Sequence, residues 1–399
     1  PGFADDPEKF ALTVELSRIT FPYLLFIALA ALLGGVLNSL YRFAAAAAAP
    51  VLLNVFFIAA LAVVVPLLGL PGHVMAWAVA LAGIAQFLLL HVAAARAGMS
   101  LRLPRPRLTP GVRRLLRLMV PGVLSAGAMQ VNLLVATIIA SFQAGAVSYL
   151  YFADRIYQLP LGLIGIGLGI VLLPDLTRKI RGADEEAATA SLNRGLELAM
   201  LLTLPAALAL VVIPFPIITV LFEHGEFGRA ARDATAAALA AFGLGLPAFV
   251  LVKVLQPGFF AREDTKTPFK ITVLSVAANI ALGLVLFWLL KHVGLALATS
   301  LAMWLNTALL ALGLRRRGFF ALDRRSRERL PRIALASVVM AVTLWIAQEM
   351  IGDWFLAALP TQIAGLALLV GGGILLYGAA ALLVRAVDIH ELRASFKRK

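Results

Sequence analysis

Residues 149–179 read YLYFADRIYQLPLGLIGIGLGIVLLPDLTRK. The stretch is apolar for longer than the roughly 20 residues a helix needs to cross about 30 Å of hydrocarbon. It nevertheless carries an adjacent Asp154 and Arg155. A charge at bilayer depth costs about 2.5–3.5 kcal/mol on insertion scales and almost always faces a bundle interior or a wet cavity. A buried, cationic, water-accessible site is the first functional reading that follows.

The rest of the chain repeats the same kind of segment. Of 399 residues 61% are hydrophobic and only 14% charged, against about half and a quarter in soluble domains. The fold class this implies is all-α, a polytopic transmembrane helix bundle. Eleven spans are expected, at 13–41, 46–68, 72–97, 112–140, 146–174, 190–221, 230–260, 267–290, 293–314, 331–350 and 361–385. The chain has no cysteine, which excludes disulfides, thiolate catalysis and cysteine metal sites. The histidines His73, His91, His224, His292 and His390 have no metal-ligand spacing, and no Walker loop or nucleophile elbow is present. No enzyme, metal or cofactor is expected.

A net charge of +14 would suggest nucleic acid in a soluble protein, but here the basic residues follow topology. Most of the 35 Lys and Arg fall in alternate loops: Arg42, then Arg96–Arg117, Arg178–Arg181, Arg262–Lys270, Arg315–Arg332 and the tail from Arg385. The opposite loops hold only Lys9, Arg18, Arg229, Arg232 and Lys291. Cytoplasmic loops are the ones rich in Lys and Arg, so the C-terminus is expected inside and residue 1 outside, in the periplasm. No nucleic-acid partner is needed. An outside start without a signal pattern suggests that an odd number of spans precedes residue 1. The basic stretches 102–110 and 315–332 divide the chain into three, six and two spans, with expected domains 1–100, 101–320 and 321–399.

Entering from outside near Ala146, the helix places Arg155 about 13 Å deep at 1.5 Å per residue. Neighbours on a helix point about 100° apart, so Asp154 and Arg155 cannot pair well and each needs its own partner or water. Pro160 lies one turn on, where it frees a carbonyl and bends the helix. Lys253 is a second cation inside a span, although it could snorkel to the interface. Arg194 and Glu197, three residues apart, read as a local ion pair. Gln158 and Asn132 are candidate polar lining residues. For Asn132, as for Gln130, Asn54 and Asn279, hydrogen bonding between helices is the plainer role. Gly162, Gly165, Gly167 and Gly169 lie in mid-span and read as packing positions, not a phosphate cradle. A mid-membrane Arg with a Lys nearby favours an anionic ligand, and diphosphate matches the planar guanidinium fork.

The runs RITFPYLLF…GGVLNSLYRFAAAAAAPVLLN (18–54), YFADRIYQLPLGLIGIGLGIVLLPDL (151–176) and KVLQPGFFAREDTKTP (253–268) closely resemble the MurJ/MviN family of lipid II flippases. That family belongs to a superfamily with multidrug and toxin extrusion transporters and polysaccharide exporters. The resemblance implies a two-lobed, MATE-like transporter fold of fourteen spans, of which about eleven are present. It implies that Arg155 lines the central cavity and serves the pyrophosphate, with Asp154 its motif neighbour and Lys253 a second cavity cation. It also implies that the last two spans border a lipid-tail groove. The function implied is movement of lipid II, the lipid-linked peptidoglycan precursor, across the bacterial inner membrane by alternating access. The partners would be lipid II and membrane lipids, and the chain is expected to act as a monomer. The other readings are export of drugs or polysaccharide-lipids, and a non-transporting scaffold in the cell-wall machinery.

Overall fold

In the computed structural model, residues 6–40, 42–99, 110–182 and 184–386 are described. The basic residues at 102, 105, 107 and 393–399 lie outside them. The helices are α1 (Pro7–Thr20), α2 (Tyr23–Ser39), α3 (Phe43–Ala59), α4 (Val65–Leu68), α5 (Pro71–Arg96), α6 (Pro110–Ala140), α7 (Ala146–Pro160) and α8 (Gly167–Arg181). They continue with α9 (Glu185–Val212), α10 (Pro214–Phe222), α11 (Arg229–Gly243), α12 (Leu246–Phe260), α13 (Lys266–Arg316), α14 (Arg324–Met350) and α15 (Leu359–Leu383). An all-helical plan is what a bilayer demands, because each helix satisfies its own backbone polar groups.

Eight helical stretches among the described residues are long and apolar enough to cross a membrane. They account for the eleven expected spans as follows. The 51-residue α13 is interrupted at Lys291, whose backbone is non-helical (φ 53°, ψ −137°), so it supplies both 267–290 and 293–314. The expected spans 112–140 and 146–174 coincide with α6 and with α7 and α8. Within α6 only Gln130–Ala140 registers, as a shorter apolar helix, and α7 is separated from α8 by a π-helical turn at Leu161–Ile166. Prolines break other spans that the hydropathy reads as continuous. Pro22 separates α1 from α2, and Pro214 and Pro216 open α10 after α9 ends at Val212. A proline has no N–H to give the preceding turn.

The chain divides into two compact units, residues 3–117 and 118–399. In the first, α2 and α3 pack on α5 around Ala30, Leu33, Leu37, Ala49, Leu90 and Ala94. Buried Gln86 donates to the Ala49 carbonyl at 2.9 Å. Besides smaller clusters around Phe287 and around Ile333, the second unit has two large cores. One joins Tyr157, Leu239, Phe242 and Leu246 with Met340, Leu344 and Leu369 of the last two helices. The other centres on Leu176, Leu192, Leu255, Phe259, Leu310 and Leu314.

Small residues set close approaches in the second unit, Gly245 among them. A methyl there would lie 2.6 Å from Ser300 Oγ and 2.9 Å from Ser300 Cα, and that hydroxyl already donates to the Ala241 carbonyl at 2.7 Å. Backbone cannot yield as a flexible side chain can. Gly245→Val should therefore cost about 1–3 kcal/mol through overpacking, read as a lowered melting temperature in detergent, whereas Gly162→Ala, which meets open space, should fold normally.

Candidate functional site

α7 is two-faced. Ala153 and Tyr157 are buried in a core shared with α11, with the Tyr157 ring stacked on Phe242 and edge-on to Phe249, while Ala146 is buried with Ile139 of α6 and Phe287 and Leu295 of α13. The other side carries the charged pair. The two neighbours do diverge. Asp154 accepts a hydrogen bond from Gln158 one turn on, and the Arg155 guanidinium lies 4.7 Å from the ring centre of Tyr151 one turn back. Arg155 is otherwise exposed, and it has no ion pair among the described residues. Directly after Pro160, the backbone widens into the π turn Leu161–Ile166. Such turns occur mostly as single insertions within helices and frequently at functional positions.

Lys253 enters from α12, which packs on that π turn. A methyl on Gly165 would touch the Lys253 stem at 3.8 Å and Val250 at 3.6 Å, so the lysine leaves its helix alongside the widened backbone. It is exposed while its neighbours Val252 and Val254 are buried, and it has no hydrogen bond or ion pair among the described residues. Arg155, Asp154, Gln158 and Lys253 thus all belong to the second unit, on α7 and on a helix that packs against the turn following it. Asn132 does something else. Its carbonyl oxygen accepts from Asn279 Nδ2 at 3.0 Å, a bond between α6 and α13 of the kind that holds membrane helices together.

Two polar networks frame the Arg-rich end of this unit. Arg194 and Glu197 make the local pair read from their spacing, at 3.6 Å. Glu197, only 7% exposed, also accepts from the Ser326 hydroxyl at 2.7 Å and meets Arg325 at 3.4 Å and Arg329 at 3.5 Å. Those three partners come from α14, and no local spacing announces them; the only signal is an acid well inside α9, beyond Glu185 and Glu186 of its first turn, and a dense basic run elsewhere. The second network holds the loop between α12 and α13. Arg262 donates to the Gly258 carbonyl at 2.7 Å, pairs with Glu185, and lies 4.0 Å from the Phe319 ring centre. Asp264 caps Thr267 N at 3.0 Å and pairs with Arg317, which also donates to Thr267 Oγ1 at 2.8 Å.

The Arg317 and Thr267 hydrogen bonds hold the Asp264 carboxyl well below the usual carboxylate range. At Asp175, burial pushes upward, but hydrogen bonds from Lys179 and Ser191 outweigh it. A carboxyl depressed on folding contributes stability above its unfolded pKa of about 3.9, and that contribution is lost as pH falls through the folded value. Melting temperature in detergent should therefore be flat above about pH 5 and fall below about pH 4. Asp264→Asn should melt lower at pH 7 and show a shallower acid limb.

The whole of this architecture has close counterparts. Residues 1–365 match the family model described as lipid II flippase MurJ. A probable lipid II flippase MurJ of Rhizobium meliloti (strain 1021) is 44% identical over 409 residues, covering 100% of this chain and 75% of the relative. The Vibrio cholerae protein of that description is 37% identical over 388 residues, covering 97% and 74%. The chain thus spans about three quarters of the length of these relatives. A solved structure described as lipid II flippase MurJ in an inward closed conformation superposes with TM-score 0.75 at 25% identity, covering 95% of this chain and 76% of the other. On the family match and these identities, this multi-pass membrane protein belongs to the MurJ family of lipid II flippases.

Proposed function

We propose that this protein translocates lipid II from the inner to the outer leaflet of the bacterial cytoplasmic membrane, with Arg155 and Lys253 serving the diphosphate and no bond made or broken. The observation that carries the reading is the pair of cations inside apolar spans, neither in an ion pair among the described residues, Arg155 having only its chain neighbour Asp154 close by. A cation left so in a membrane is costly unless water or a ligand compensates it, and a diphosphate supplies both charge and acceptors for a guanidinium fork. A drug exporter for cations is disfavoured by the same pair, since both groups left without an ion pair among the described residues are positive.

Several finer points belong to this reading. The C-terminus and the Arg-rich loops face the cytoplasm, and the start of the chain faces the periplasm. The functional divisions are residues 1–100, 101–320 and 321–399, the last pair of helices bordering the site for the lipid tail. Gln158 orients Asp154 beside Arg155. Transport proceeds by alternating access in a monomer. The test is a cell in which the resident flippase is depleted and this protein, as its full-length gene product, is supplied. Lipid II should again become accessible to a probe outside the membrane. Growth without restored accessibility, or neither, would reject the reading.

A further inference from the structure

One cavity of the second unit has no part in the site so far described. It has a volume of about 520 Å³ and is lined by Leu173, Pro174, Thr177, Arg178 and Arg181 of α8. Spacings of three and four residues put these side chains on one helix face, apolar at the inner end and cationic at the tip. The Arg178 side chain is 82% exposed, and its bond to Asp175 is long, at 3.3 Å. The Asp175 carboxylate is engaged by Lys179 at 2.8 Å and by Ser191 of α9 at 2.7 Å. Arg181 is exposed and has no ion pair among the described residues. Topological bias accounts for basic residues at this end, but it calls for no cavity with an apolar floor.

The position along the chain adds a second argument. Gly165, beside which the Lys253 stem runs, precedes Arg178 by a helical distance of about 20 Å, and Arg155 lies about 15 Å further on. Cations therefore stand at three depths along one span and its π turn. Two guanidiniums match the two phosphates of a diphosphate bidentately, and Leu173 with Pro174 suits the first carbons of a lipid attached to it. A cationic, partly apolar recess at the membrane surface raises the local concentration of such an anion.

We propose that the Leu173–Pro174–Thr177–Arg178–Arg181 face of α8 is a docking site that captures the diphosphate of a membrane-anchored substrate on the cytoplasmic side, ahead of Lys253 and Arg155. This rests on the flippase reading. The test measures the flipping rate against lipid II content in proteoliposomes with the full-length protein. R178Q/R181Q should raise the half-saturating content at least about tenfold while leaving the maximal rate within about twofold, and R178K/R181K should restore part of the loss. Arg155→Gln, by contrast, should lose maximal rate as well as affinity. An unchanged half-saturating content, or a loss of maximal rate alone, overturns the docking site. So does equal competition by vesicles enriched in phosphatidylglycerol, which would mark a general anionic-lipid surface. Wild-type protein that fails to flip lipid II at all would instead remove the function on which the proposal stands.

Discussion

Arg155→Ala in the full-length protein should abolish complementation of a flippase-depleted strain, while Arg194→Ala supports near-normal growth. The two arginines lie in the same unit but spend their charge differently. Arg194 is half-exposed and sits 3.6 Å from Glu197, which keeps Arg325, Arg329 and Ser326 without it. Among the described residues Arg155 has no ion pair, only the Tyr151 ring and its chain neighbour Asp154, and is available to a ligand. A hydrogen bond to a charged group contributes about 1.5–3 kcal/mol, so loss of a bidentate pair lowers occupancy about a hundredfold or more. Arg155→Lys keeps the charge but loses the planar fork and its stacking; it should retain partial function. Equal growth of the Arg155→Ala and Arg194→Ala strains would sink the assignment.

The second large effect is on stability. Glu197→Ala should lower the melting temperature of the detergent-solubilised protein more than any single arginine substitution around it. Removing one partner from a buried ionic cluster costs about 3–5 kcal/mol, and here one carboxylate serves the Ser326 hydroxyl and three guanidiniums. Because Arg325, Ser326 and Arg329 all sit in the first two turns of α14, capped by Asp323 on Ser326 N at 2.7 Å, the loss concentrates at the junction of α14 with α9. Glu197→Gln keeps an acceptor for Ser326 and should fall between wild type and Ala. A flat melting temperature across the series would show that α14 is held by its apolar contacts alone.

Hydropathy and proline placement made most of this architecture readable. The gap between the spans 267–290 and 293–314 coincides with the non-helical backbone at Lys291. The spacing of Asp154, Arg155 and Gln158 placed a charge pair on diverging faces, and it is so. What could not be read was anything that depends on partners distant in sequence. Glu197 looked local because its neighbour three residues back was basic, yet Ser326 is 129 residues away. His292 has no partner in its own stretch of sequence; it is buried, its Nε2 meeting the Ala234 carbonyl at 2.9 Å and its backbone N donating to Gln143 Oε1 at 2.9 Å. For Asn132 hydrogen bonding between helices was the plainer reading, and its bond from Asn279 shows which residue is the partner, 147 positions away.

The widened turn at Leu161–Ile166 also fixes an angle. Each extra residue in a helix rotates everything beyond it by about 100°, so the backbone insertion sets the compass bearing of Arg178 and Arg181 relative to Arg155. Excising a single residue from that turn would leave every amino acid of the charged stations intact and still swing the far pair a quarter-turn or more away from the near one. Spacing in sequence, and not composition alone, sets that bearing.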